Sequence, residues 1–245
     1  MKILLPVVCI VIIPLILSCT MGPDIKDGMT YSMNIGNKGP SLTIAVDRGT
    51  AWMHPVKFGF MKVKITPQIA LWIQDTAGAL VENIFVTRCF AKQEWRMAKF
   101  PPDSCGRDMC MPYWLGRLRA VNQKAPTKNA PLPDAVTGAT PTGSFAVTTR
   151  LWTALRTFDV CLELNKSYDF NEQYTEKTKP NPYNGQPAVV YKTRVNLDDT
   201  AVSSFDFIYA GHSGSVGSDS ALYENKEGIT TALDIIKQAK VLRAK

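Results

Sequence analysis

Histidine is scarce in this chain, with two residues in 245. No Cys-x-x-Cys pair, no Cys-x-x-Cys-His haem signature and no Gly-x-Ser-x-Gly elbow occurs. The usual sequence supports for a thiolate metal site, a c-type haem or an α/β-hydrolase are therefore missing. There is no internal repeat of fixed period. Basic residues such as Lys57, Lys62, Lys64, Arg117, Arg119, Lys124 and Lys128 are scattered and form no run interleaved with aromatics. Charged residues make up only 20% of the chain, and 45% are apolar, enough to bury a sizeable core without wholesale disorder.

One long apolar run is present, Ile3 to Leu17, after the positive start Met1-Lys2. It is shorter than the roughly 20 residues a spanning helix needs, and Pro6 and Pro14 weaken a helix there. The run reads as a secretory signal peptide over residues 1–18. Its end, Ile16-Leu17-Ser18-Cys19, resembles a bacterial lipobox, in which the cysteine thiol is acylated and becomes the mature N-terminus. The resemblance implies a lipid anchor on Cys19 and a place in the cell envelope, on the extracytoplasmic (periplasmic) face. Loss of Lys2 lowers the formal net charge from +7 to +6. That surplus suits an anionic lipid or ligand, and export argues against nucleic acid.

Four cysteines remain after export and acylation: Cys89, Cys105, Cys110 and Cys161. An oxidising compartment favours a loop staple, either Cys105 to Cys110 or one of these to Cys89. Cys161 lies in an apolar strand pattern and reads as a buried thiol. Met109-Cys110-Met111 and Met53-His54 offer soft ligands of the kind copper takes. Loose residues of this type are more often packing, and no metal site is assigned. Gly211-His212-Ser213-Gly214-Ser215, with Asp219 nearby, reads as a polar turn. No catalytic residue is assigned, because closeness in sequence does not make a triad converge.

Residues 19–40, rich in Gly, Asp, Asn and Lys, read as a flexible tether, and 41–245 as one folded domain with an irregular insertion around 92–140. Strand patterns lie at Leu42–Val46, Phe58–Ile65, Gln68–Ile73, Leu80–Thr87, Phe145–Thr149, Phe158–Leu164, Val189–Val195 and Ser204–Tyr209. Gln68–Ile73 and Leu80–Thr87 form a hairpin across Asp75-Thr76-Ala77-Gly78, and His54-Pro55 reads as a strand end. Tyr113–Arg119 is a short helix or ordered loop, and Thr231–Ala239 carries a helix pattern with a threonine cap. The expected fold is all-β, an immunoglobulin-like sandwich with a short C-terminal helix and long loops.

The most specific stretch is Asp134-Ala135-Val136-Thr137-Gly138-Ala139-Thr140. Its form, D-x-x-[S/T]-G-A-T, resembles the site at which a dedicated transferase attaches FMN to the last threonine of certain bacterial redox proteins. Gly138 admits backbone conformations closed to other residues, and Ala139 keeps the neighbourhood small. The prolines at 131 and 133 hold the entry extended. The resemblance implies covalent FMN on Thr140, with Asp134, Thr137, Gly138 and Ala139 shaping the site. Lys124, Lys128 or Arg150 would face the phosphodiester, and Tyr113, Trp114 or Trp152 the isoalloxazine ring.

A wider resemblance runs from about Thr66 to Val241, through Pro67–Asp75, Asp134–Pro141 and Gly185-Gln186-Pro187. There the chain is similar to predicted periplasmic proteins of domain-of-unknown-function family 2271. Gln74 stands where that group commonly has Glu. The likeness implies an exported β-sandwich, some members of which accompany flavin transferases and membrane redox proteins. Two expectations follow. One is a lipid-anchored protein that carries flavin or docks against it in electron transfer. The other is a non-enzymatic envelope lipoprotein, an adaptor or binding module without cofactor.

Overall fold

The structure is a computed structural model that describes residues 28–95, 98–152, 154–177, 183–214 and 219–243. The expected signal peptide and Cys19 lie outside the described residues. In chain order the strands are β1 (Met29–Met33), β2 (Ser41–Arg48), β3 (His54–Phe58), β4 (Met61–Ile65), β5 (Gln68–Gln74), β6 (Leu80–Thr87) and β7 (Thr137–Gly138). They continue with β8 (Phe145–Arg150), β9 (Thr157–Asn165), β10 (Val189–Asn196), β11 (Ser204–Asp206), β12 (Ile208–Ser213), β13 (Leu222–Tyr223) and β14 (Ile236–Arg243). Two α-helices, α1 (Arg88–Ala91) and α2 (Pro112–Ala120), fall in the middle of the chain.

The fold is all-β. A five-stranded sheet, β1-β8-β2-β14-β11, faces a seven-stranded sheet, β13-β12-β10-β9-β5-β6-β7, and a separate hairpin pairs β3 with β4. The sheets do not close into a barrel. Alternation explains the inner core. Leu42, Ile44 and Val46 of β2 share one core with Phe158, Val160, Leu162 and Leu164 of β9 and with Ile69, Leu71 and Ile73 of β5, its neighbour in the sheet.

The seven-stranded sheet is covered on its other face as well. All seven residues of β5 are buried, and its outward Ala70 and Trp72 pack with Phe90, Met111, Trp114, Leu115 and Leu118 beneath α2. A strand covered on both faces reads as a continuous apolar run, as Ile69–Ile73 does. The part of the insertion around 92–140 that carries α2 is therefore a third layer. Pro112 occupies the first turn of α2, where a missing N–H is harmless. Glu163 of β9 completes the helix start by accepting the N–H groups of Tyr113 (3.2 Å) and Trp114 (2.7 Å).

Four expectations are corrected. The tether ends earlier than read, because β1 runs parallel to β8 from Met29↔Phe145 to Met33↔Thr149. Ser204–Tyr209 is not one strand. The chain changes sheets at Phe207, so β11 pairs with β14 and β12 with β10. Gly211–Ser213 likewise belongs to β12 rather than to a turn. Finally, Thr231–Ala239 is helical only as a 3-10 turn through Asp234, and continues as β14. A bulge between Ile236 and Gln238 brings Ile236 and Ala239 to the same buried face, three positions apart. That spacing imitates a helical stripe.

Candidate functional site

The Asp134–Thr140 segment closes one lateral side of the sandwich. Strand β1 is the edge of the five-stranded sheet, and β6 would be the edge of the other were β7 not paired to it. The motif is laced to both. The Ala135 carbonyl accepts the N–H of Asn34 (3.2 Å), and Val86 and Thr87 pair in parallel with Thr137 and Gly138. The Ala139 carbonyl then accepts the Tyr31 hydroxyl (3.0 Å), and the Pro141 carbonyl accepts the Trp52 indole N–H (3.3 Å).

Close packing dictates the glycine. A Cβ on Gly138 would stand 2.2 Å from Phe85 Cε2 and 3.1 Å from Met33 Cε, so no larger residue fits against the core there. Asp134 is exposed and pairs with Lys92 Nζ at 2.9 Å, which holds its carboxyl below the usual carboxylate range. Lys92 also donates to the Leu132 carbonyl (2.7 Å), and the Thr137 hydroxyl donates to the Pro133 carbonyl (2.8 Å). Thr140 is half-buried, beside the exposed Ala139. Among the described residues its hydroxyl makes no hydrogen bond.

No family model matches the chain, and no curated protein and no solved structure matches it. What the site can do rests on its own geometry. The residues around Thr140 fit a phosphoester in one respect: the hydroxyl is uncommitted and reaches the surface between two pinned carbonyls. They fit the tricyclic ring less closely. Tyr113 and Trp114 are buried, and their polar atoms are taken up by Lys192 and Asn83. Neither can stack on a surface ligand, which corrects that expectation. Trp152 is 79% exposed, and its backbone N–H donates to Glu82 Oε2 (2.9 Å). Glu82 in turn accepts Asn34 and Asn37, so Trp152 stands near the Ala135 end of the motif. A basic side chain that reaches the motif is Lys92, whose role the sequence did not suggest.

The remaining candidates are dispersed. Among the described residues no disulfide joins Cys89, Cys105, Cys110 or Cys161, so the expected staple is not formed in the structure. Cys110 instead donates to Asn184 Oδ1 (3.1 Å), and Cys89 to the Glu94 carbonyl (3.2 Å). Burial pushes Cys105 and Cys110 up to about 12, so neither is a ready thiolate. Cys161 is buried as expected, and burial raises its pKa too. His212 stacks on Tyr223, with ring centroids 5.5 Å apart. Asp219 is taken by the Tyr223 hydroxyl (2.7 Å), so no triad forms around His212. Burial lowers the His54 pKa, and nearby Lys166 adds to the effect. Among the described residues no group of three His, Cys, Asp or Glu side chains is placed to hold a metal.

The sequence reading missed a buried polar network. Lys166 donates to the Ala51 carbonyl (2.6 Å) and lies 3.5 Å from Asp169, which accepts the Thr231 hydroxyl (2.6 Å). Gln186 joins Thr230 and Thr231 to that network. The Gly185-Gln186-Pro187 landmark was the one signal for it. Two surface clefts, of about 710 and 410 Å³, are lined by Arg48, Gly49 and Leu233 with their neighbours, and by Asp159, Lys192 and Arg194 with theirs. Neither includes the motif.

Proposed function

We propose that this chain is a lipid-anchored extracytoplasmic β-sandwich that carries FMN esterified to Thr140 and serves an electron-transfer system. The observation that carries the reading is the allocation of the motif's polar groups. The Asp134 carboxylate and the Thr137 hydroxyl each have a partner, Gly138 is fixed by packing, and the Thr140 hydroxyl alone is left over. A structural loop has no need of that last hydroxyl. The residues are read as a handle, held between the Tyr31–Ala139 and Trp52–Pro141 hydrogen bonds while a transferase approaches. In attachment, the Oγ1–P bond forms as the anhydride of a flavin dinucleotide breaks. The nucleoside monophosphate leaves and the hydroxyl proton passes to the transferase. When bound, the isoalloxazine would exchange one or two electrons with a membrane redox protein. Lys92, held by Asp134, and the exposed Trp152, tied through Glu82 and Asn34 to Ala135, stand at the opposite end of the motif from Thr140.

The adaptor reading also has an observation behind it. The motif laces the two sheets together, a sufficient structural reason for Asp134 to Ala139. Co-expression with a flavin transferase separates the two. Flavin fluorescence that stays with the denatured polypeptide, and is lost in Thr140→Ala, is the expected result. Colourless wild-type protein favours the adaptor.

A further inference from the structure

We infer that the β3–β4 hairpin is a docking element for an anionic phospholipid surface. The hairpin belongs to neither large sheet. Its register pairs His54 with Ile65, Val56 with Val63, Lys57 with Lys62 and Phe58 with Met61. Val56, Phe58, Val63 and Ile65 are half-buried, and Phe58 meets the Tyr168 ring edge-on at 5.3 Å, which roots the hairpin on the body. The opposite face carries Lys57, Lys62 and Lys64, all exposed. Among the described residues none of the three meets a carboxylate.

Two features make little sense in water. Lys57 and Lys62 stand directly across from each other, a like-charge pair that weakens a hairpin unless an anion sits over it. At the tip, Gly59 has φ +60 at the first central position of a two-residue loop, where a type II′ turn places glycine. The second central residue can be polar, yet it is Phe60, 99% exposed, followed by Met61 at 44%. Lysines that merely guard an exposed strand edge would account for the charge but not for the aromatic tip. An apolar tip collared by unpaired lysines matches the layering of a bilayer surface, with hydrocarbon below and anionic headgroups above.

The proposal is independent of the flavin reading, since neither Thr140 nor a cofactor enters it. It does bear on orientation. The hairpin leaves the body two residues after Trp52, whose indole holds Pro141, so its root lies within one side chain of the Thr140 loop.

The test uses the full chain reconstituted into vesicles of phosphatidylcholine, with or without phosphatidylglycerol, bearing brominated acyl chains. Phe60→Trp adds a reporter at an exposed tip without touching the core, and wild-type emission is subtracted. On vesicles with phosphatidylglycerol the added tryptophan should be quenched, and on phosphatidylcholine alone it should not. Each of Lys57→Gln, Lys62→Gln and Lys64→Gln should weaken docking about fivefold, the factor corresponding to about 1 kcal/mol per basic residue at an anionic surface. The triple variant should abolish the quenching. Quenching that is absent on both vesicles, equal on both, or retained in the triple variant would overturn the proposal. So would a reporter that responds to soluble heparin and to neither vesicle, which would assign the strip to a different polyanion.

Discussion

The two faces of the seven-stranded sheet are built on different principles. The inner face meets the five-stranded sheet through apolar side chains alone along β9: Phe158, Val160, Leu162 and Leu164. The outer face of the same strand carries Asp159, Cys161 and Glu163, and Glu163 is fully buried. Dry apolar packing needs only volume and pattern, whereas a buried carboxyl needs particular partners at particular distances. The inner face thus joins the sheets, and the outer face fixes where α2 sits. Truncation should expose the difference most strongly. Phe158→Ala is expected to destabilise the whole domain by about 3–5 kcal/mol, seen as one shifted denaturation transition. Trp114→Ala, of similar local cost, should release the amides of 112–120 to hydrogen exchange while those of β9 stay protected. If β9 exchanges as fast as α2 in Trp114→Ala, the two faces are one cooperative unit and the distinction fails.

Glu163 sharpens the contrast through pH. Burial pushes its carboxyl up to about 8 from an ordinary 4.5, and the two backbone N–H groups only partly oppose this. A carboxyl whose folded pKa lies above its unfolded value keeps a proton that the unfolded chain has released. Its contribution is complete below about 4.5, declines as pH rises, and is gone above about 8. Stability measured by urea denaturation should therefore fall across that window by an amount on the order of a few kcal/mol. In Glu163→Gln that fall should be lost, leaving the rise with pH expected from His54, whose lowered pKa favours the folded state as pH increases. A variant that keeps the fall would place its source elsewhere.

The same contrast explains what could be read from the sequence. Inner-face strands announce themselves by alternation, as Leu42–Val46 does, and Leu80–Thr87 has the bounds expected of it as the return strand of a hairpin. Outer-face details did not, because Glu163 in an alternating strand looks like a solvated position until a helix is known to cover it. Met29–Met33 was lost among tether-like residues, since its pairing partner lies more than a hundred positions away. The break at Phe207 is equally silent, because both halves of Ser204–Tyr209 favour strand and only tertiary pairing decides which sheet each joins. At the candidate site the motif gave the residues but not their surroundings. Lys92 and Tyr31 reach it from far along the chain.

The lateral side closed by the motif should respond more mildly than either face. Gly138→Ala presses a methyl group onto the Phe85 ring. An overpacking cost of about 1–3 kcal/mol is expected by thermal or urea unfolding, and a neutral result would mean that β7 can lift away from the core.

The smallest effect is the most diagnostic for function. Thr137 and Thr140 are the two hydroxyl residues of the motif, both half-buried, so replacing either with valine removes one oxygen at nearly constant volume. Thr137 loses a hydrogen bond to the Pro133 carbonyl, for an expected cost of about 1 kcal/mol. Thr140 has no such bond to lose, and Thr140→Val should stay within about 0.5 kcal/mol of wild type by the same urea titration. Equal costs at the two positions would show that the Thr140 hydroxyl is held within the fold after all, and its availability as a handle would fall with that result. Unequal costs, together with flavin attachment that survives Thr137→Val and fails in Thr140→Val, would divide the motif into a part that laces the sheets and a single atom kept for chemistry.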